Sequence, residues 1–204
     1  MRLSMIVSSD SGEIPSPLTG IDMSYPPNLG IATSGLGTAS CTQPALEQNG
    51  PAGCPRDSIM GSGTALARFR IGAEVFHESA TIGIVAGPSP DGRLHLLISA
   101  TGLTPVAARI VMASTLLGGH FAIAVPLVPS LPEGEDVAVV AVKATLGGNL
   151  QYTERRGGRT VRYVPKGIVI PARCPRGGFK FSGRFTFADG TSARAATALA
   201  CPKR

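Results

Sequence analysis

The chain has 204 residues with a formal net charge of +6, and 43% of the residues are hydrophobic. This hydrophobic content is ordinary for a globular protein, which argues against disorder throughout, and the absence of a tripeptide period excludes collagen. No stretch approaches the roughly 18 to 20 apolar residues that a membrane-spanning helix needs.

The first residues, MRLSMIVSSDSGEIPSP, predict a short strand over residues 3–7 and an exposed loop over residues 8–18. The apolar run is broken by Ser4 and ends at Val7, so the segment does not have the form of a signal peptide. A second short strand is predicted over residues 21–25.

The four cysteines are Cys41, Cys54, Cys174 and Cys201. Their spacings match neither a zinc site nor a C-x-x-C redox motif, and the three histidines lie far from them in sequence. An even count predicts disulfides, for which four cysteines allow three pairings. We favour Cys41–Cys54 and Cys174–Cys201, because both intervening segments contain turn-forming residues that bring their ends together.

Disulfides persist outside the reducing cytosol. The pairing therefore predicts a protein that is secreted or held in the cell envelope, with its leader absent from this sequence. The alternative is a cytosolic protein with four buried free thiols. Between the first two cysteines, PALEQ predicts about one turn of helix that Thr42 starts before Pro44.

The run SCTQPALEQNGPAGCPRDSIMGSGTA combines two cysteines, a short helical turn and a Gly-x-Gly that enters a strand. The pattern is carried by these matching positions: Cys41, Cys54, Pro55, Ser58, Gly61, Gly63 and Thr64. It resembles a segment of exported, uncharacterised β-rich proteins of actinobacteria, over roughly residues 20–70 of this chain. The resemblance implies a β-rich exported protein and gives no catalytic residues, since that group has no agreed activity.

Alternating apolar and polar residues predict strands along most of the remaining chain. They cover residues 65–75, 81–86, 94–100, 121–127, 136–146, 161–164, 167–170 and 179–187. Residues 106–117 have a β-branched centre, so we predict a strand there in preference to a helix. About a dozen short strands with turn signals between them predict an all-β, antiparallel β-sandwich, immunoglobulin-like or jelly-roll-like, as a single domain over residues 1–204.

Three segments resemble chemical motifs only in part. Glu74 and Glu78 share a strand face beside His77, which we interpret as a solvated strand end. Residues 61–65, GSGTA, lack the lysine of a phosphate-binding loop and are interpreted as a tight turn. The segment EGED, with Glu133 and its acidic neighbours, lacks a spaced calcium-ligand pattern. We therefore predict no catalytic, cofactor or metal site.

The densest positive charge lies in ERRGGRTVR, where four arginines flank Gly157 and Gly158. They are Arg155, Arg156, Arg159 and Arg162. The segment is interpreted as a solvated hairpin tip, with an anion-binding loop as the alternative.

The expected function is that of an exported or cell-envelope module with a binding or structural role and no catalysis. Its partner would be an anionic cell-envelope polymer or another protein. The chain has no tryptophan, so a base-stacking platform for nucleic acid is not expected. The alternatives are a carbohydrate-binding or carbohydrate-active domain and a polyanion-binding surface protein.

Overall fold

The structure is a computed structural model, and it describes residues 1–32, 39–104, 107–128, 137–147, 152–163, 167–171 and 173–201. The described residues form one α-helix, α1 (Gln43–Asn49), two short 3-10 helices (Gly50–Gly53 and Arg56–Ser58) and a series of strands. The strands are β1 (Arg2–Ile6), β2 (Leu18–Ser24), β3 (Gly30–Ala32), β4 (Ile59–Ile71), β5 (Glu74–Ala86), β6 (His95–Gly102), β7 (Ala108–Leu117), β8 (His120–Ala124), β9 (Ala138–Leu146), β10 (Tyr152–Arg156), β11 (Arg159–Tyr163), β12 (Gly167–Val169), β13 (Phe179–Phe187) and β14 (Ser192–Leu199).

Ten of these strands form one sheet in the order β1-β9-β4-β5-β6-β7-β8-β2-β13-β14, and every pairing is antiparallel. This confirms the predicted all-β antiparallel class. The predicted two-sheet sandwich is not what the described residues show, because the sheet is a single curled half-barrel. Strands β4 to β7 each pair with the next strand along the chain, and β8 then pairs with β2.

The two faces of the sheet differ in what packs on them. The helix face carries α1, whose Leu46 joins Val85 and Leu97 in a buried cluster with the Cys41–Cys54 disulfide. The opposite face carries a second apolar cluster that includes Met60 and Ile84. Because both faces are partly covered, the central strands β5 and β6 are apolar on both sides, as expected for such strands.

Helix α1 begins where the sequence predicts. The side chain of Thr42 accepts a hydrogen bond from the Ala45 main-chain N–H, and Pro44 lies in the first turn, where it needs no hydrogen-bond partner. The helix is somewhat longer than the single turn expected. Neither this helix nor any other in the described ranges is long and apolar enough to span a bilayer.

The strand predicted over residues 65–75 is wrong at its end. Strand β4 stops at Ile71, and the chain reverses at Gly72, whose φ of 61° favours glycine. Val75 therefore pairs with Arg70, which places Val75 on the helix face, away from Phe69 and the apolar set to which the alternation assigned it. Residues 108–117 form the predicted strand.

Candidate functional site

Charge is segregated between the two faces of the six strands β1, β9, β4, β5, β6 and β7. The pairing registers place every lysine and arginine of these strands on the helix face, and these are Arg2, Arg68, Arg70, Arg109 and Lys143. The only acids in the same strands, Glu74 and Glu78, register with Ile71 and Ala67 on the opposite face. The helix face of these strands thus carries cations without carboxylates.

Hydroxyl groups fill the space between these cations. One row crosses all six strands at right angles, because each member pairs directly with the next. The row runs Ser4, Lys143, Thr64, Thr81, Thr101, Arg109. Adjacent strands lie roughly 4.8 Å apart, so the row repeats a polar group at about that interval. We call it the hydroxyl row.

The hydroxyl row borders a shallow cleft of about 490 Å³ over strands β1, β9 and β4. Arg2, Lys143, Ser62 and Thr64 line the cleft, and all four side chains are exposed. Neither Arg2 nor Lys143 forms an ion pair with any described residue. Two unpaired cations among hydroxyl donors favour a ligand that carries negative charge and several oxygen acceptors.

The far end of the row is fixed by the helix. The Arg109 guanidinium donates to the hydroxyl of Thr101 at 3.1 Å and to the main-chain oxygens of Glu47 and Gln48, both at 2.9 Å. These bonds satisfy carbonyl groups that the end of a helix leaves without partners. Arg109 is therefore held in place, whereas Lys143 is available to a ligand.

Two glycines position the cleft. Gly61 and Gly63 lie within β4, and a Cβ on either would meet the main-chain oxygen of Thr145 or Lys143 on β9. The interpretation of residues 61–65 as a tight turn is therefore wrong: these glycines let β4 and β9 approach closely, while Ser62 and Thr64 alternate with them on the helix face.

The acids of the β5 segment lie apart from this site. Glu74 is exposed, but Glu78 is only 6% exposed on the opposite face, where its carboxylate packs against Gly102. The predicted solvated strand end is therefore wrong for Glu78. His77 lies on the helix face, opposite Arg68 in register, so the three residues do not form one site.

The four arginines of residues 154–162 lie on the separate β10–β11 hairpin. Arg155 pairs with Thr160 and Arg162 with Thr153, so both share one face, whereas Arg159 pairs with Arg156 in the alternate register. The arginines are therefore divided between the two faces of the hairpin and do not form one cluster. It remains a candidate anion-binding segment, and Arg155, Arg159 and Arg162 are exposed.

The predicted cysteine pairing is confirmed. Cys41 bonds to Cys54, and Cys174 bonds to Cys201. The first pair is buried beneath α1, and the second is exposed. No group of three or more metal-ligating side chains occurs within the described ranges, and the acidic segment at Glu133 lies outside them.

A second polar cluster joins three side chains at the β6 hairpin. Asp91 lies 2.8 Å from Nε2 of His95, and Nδ1 of His95 lies 3.0 Å from the Thr115 hydroxyl. An ionised carboxylate only accepts hydrogen bonds, so Nε2 carries the ring proton and the Thr115 hydroxyl donates to Nδ1 in the neutral ring. The cluster fixes the turn before β6, because Asp91 also accepts from the Arg93 main-chain N–H at 3.1 Å.

These observations define a disulfide-bonded, all-β protein whose curled antiparallel sheet carries a cationic, hydroxyl-rich face. No protein-family model, curated protein or solved structure matches the chain. The cysteines and the hairpin arginines were apparent from the sequence, but the hydroxyl row was not. Its members come from six separate strands, and only their register brings them together.

Proposed function

We propose that this protein is an exported or cell-envelope module that binds an extended anionic ligand on its helix face, without catalysis. The single observation that carries the proposal is the hydroxyl row with its cations, because Glu74 and Glu78, the acids of the same strands, lie on the opposite face. An anionic polymer of the cell envelope has the matching chemistry, namely repeated negative charges and oxygen acceptors.

Export is supported by the disulfides. Cys174 and Cys201 are both exposed, so cytosolic reductants would reach this bond readily. An exposed disulfide persists in an oxidising compartment, such as the exterior of the cell.

The chemistry of the row favours charge recognition over recognition of neutral sugars. Neutral sugars are commonly bound by stacking on exposed aromatic rings, and the row contains serine, lysine, threonine and arginine alone. The carbohydrate-binding alternative is therefore retained only for sugars that carry acidic groups.

A salt titration with dextran sulfate, with neutral dextran as the control polymer, tests the proposal. We expect the protein to bind dextran sulfate and not neutral dextran. The affinity should fall as the salt concentration rises, because each cation that neutralises an anionic group releases a counterion. The variant Arg2→Gln with Lys143→Gln should bind about tenfold more weakly, with a slope of log affinity against log salt reduced by roughly two.

The matched control is Lys180→Gln with Arg184→Gln, which removes the same charge from β13. Arg184 pairs directly with Asp22 there, so that region is not free of acids. Equal weakening by the two double variants, or binding that does not depend on salt, would contradict the proposed site.

A further inference from the structure

Strand β14 ends the ten-stranded sheet with an open edge. Its residues pair with β13 on one side, and in the described part of the chain no strand pairs with the other side. All eight residues of β14 are exposed. The strand has no proline and one charged side chain, Arg194, so it lacks most of the features by which edge strands avoid pairing with other chains.

The turn before β14 shows which main-chain groups face this edge. Phe187 N–H donates to the Thr191 oxygen, and Gly190 N–H donates to the Phe187 oxygen. Hydrogen-bonded pairs alternate along an antiparallel ladder, so Ala193, Ala195 and the other odd-numbered residues direct their main-chain groups towards β13. The even-numbered residues direct theirs outwards, and these are Ser192, Arg194, Ala196 and Ala198.

We propose that a second copy of this chain pairs with this edge, β14 against β14, antiparallel about a twofold axis at Ala195. A twofold contact closes on itself in a dimer, whereas pairing β14 with the β1 edge of another copy would give a ring or an open filament. The proposal concerns assembly and is independent of the anionic ligand.

The register follows from side chains and hydrogen bonds. Directly opposed residues lie on the same face of an antiparallel sheet, so odd residues must oppose odd residues if the apolar face of β13 and β14 is to continue across the junction. Centring the axis on Arg194 would oppose two arginines, which is unfavourable. Centring it on Ala196 would leave Ser192 without a strand partner.

The axis at Ala195 satisfies all of these conditions. Ser192 then opposes Ala198, Arg194 opposes Ala196, and every outward-facing residue of β14 gains a partner. Ala195 faces itself across the axis at a position without hydrogen bonds, where the opposed Cα atoms lie only about 4.5 Å apart. Alanine, with its small side chain, fits this spacing.

Light scattering during size-exclusion chromatography tests the assembly on the intact protein. We expect a mass of twice the 20.9 kDa of one chain at micromolar concentrations. The variant Ala196→Pro removes one outward N–H and leaves the bonds to β13 in place, so it should elute as a folded monomer with an unchanged circular dichroism spectrum. A monomeric parent protein at all concentrations, or a folded Ala196→Pro variant that stays dimeric, would overturn the proposal.

Engineered cysteines test the register. Ala195→Cys should form a covalent dimer under mild oxidation, because the two opposed Cα atoms fall within the range that a disulfide spans. Ala193→Cys should not, since it would oppose Thr197 of the second copy. Equal cross-linking at both positions, or cross-linking at Ala193→Cys alone, would exclude this register.

Discussion

The guanidinium group of Arg109 on β7 donates to the main-chain oxygen of Glu47 at the end of α1, with an Nη1–O distance of 2.9 Å. This contact joins the helix that packs on β6 and β7 to the hydroxyl row beside it. The same side chain donates to Thr101, so the helix, the sheet and the row share one side chain.

Arg109→Ala should therefore destabilise the protein by about 1 to 2 kcal/mol, because it removes several charge-assisted hydrogen bonds at an exposed position. Arg109→Lys keeps the charge but lacks the planar fork, so its loss should be intermediate. Urea unfolding monitored by circular dichroism measures both. Equal stability of all three proteins would show that the contact does not hold α1.

Gly83→Ala tests the packing of the first 3-10 helix on β5. A Cβ on Gly83 would overlap the ring of Pro51, which cannot move as a flexible side chain would. We expect a loss of about 1 to 3 kcal/mol in the free energy of unfolding. Gly30→Ala is the control, since its Cβ would make only an ordinary 3.6 Å contact with Val169, and it should change stability by less than about 0.5 kcal/mol.

The two disulfides should differ in their rates of reduction. Cys41 and Cys54 are 1% and 8% exposed, whereas Cys174 and Cys201 are exposed. Dithiothreitol should therefore reduce Cys174–Cys201 first, and mass spectrometry after alkylation would show two labels before four. Simultaneous labelling of all four cysteines without unfolding would contradict the buried position of the first pair.

Loss of the buried bond should also cost stability. The double variant Cys41→Ser with Cys54→Ser opens a loop of 13 residues and should lose about 3 kcal/mol on chain-entropy grounds, measured by urea unfolding.

In the unreduced, denatured parent protein no thiol should react with a labelling reagent. Four reactive thiols in protein taken from its native source would contradict export.

The Asp91 cluster predicts a defined response to acid. The pKa of Asp91 is lowered from its ordinary value of 3.8, chiefly by the hydrogen bond from His95 and next by the Arg93 main-chain N–H. The folded protein then binds this proton less readily than the unfolded chain, so the stabilisation is present above about pH 3.8 and is lost as pH falls through the lower folded pKa.

Asp91→Asn should therefore flatten the fall in melting temperature at acidic pH, and the exposed Asp10→Asn should leave it unchanged. Scanning calorimetry between about pH 6 and pH 2 measures both variants. An acid profile of Asp91→Asn identical to that of the parent protein would show that this cluster does not contribute.

Much of the strand pattern was predictable because burial of one face imposes a period of two. Residues 179–187 show this clearly, with phenylalanines on one side and polar residues on the other, and they form β13. The turn at Gly72 was missed because Val75 is apolar at the odd-numbered position that continues the pattern of β4, although the two-residue turn moves the odd-numbered residues to the helix face. Ile71 and Val75 therefore looked like neighbours on one face of one strand.

The candidate site could not be predicted in the same way. Lys143 and Thr64 lie far apart in the sequence, and only the pairing of β9 with β4 makes them neighbours. A local cluster such as Arg155 and Arg156 is conspicuous in the sequence, whereas a row across strands depends on register, which local patterns do not specify.

Amide chemical-shift mapping during a titration with short dextran sulfate fragments locates the anion-binding site on the protein. We expect the largest shifts at Arg2, Lys143, Thr64 and Thr81, and we expect them to disappear in the Arg2→Gln and Lys143→Gln double variant. Shifts confined to residues 152–163, or absent from β1, β9 and β4, would contradict that location.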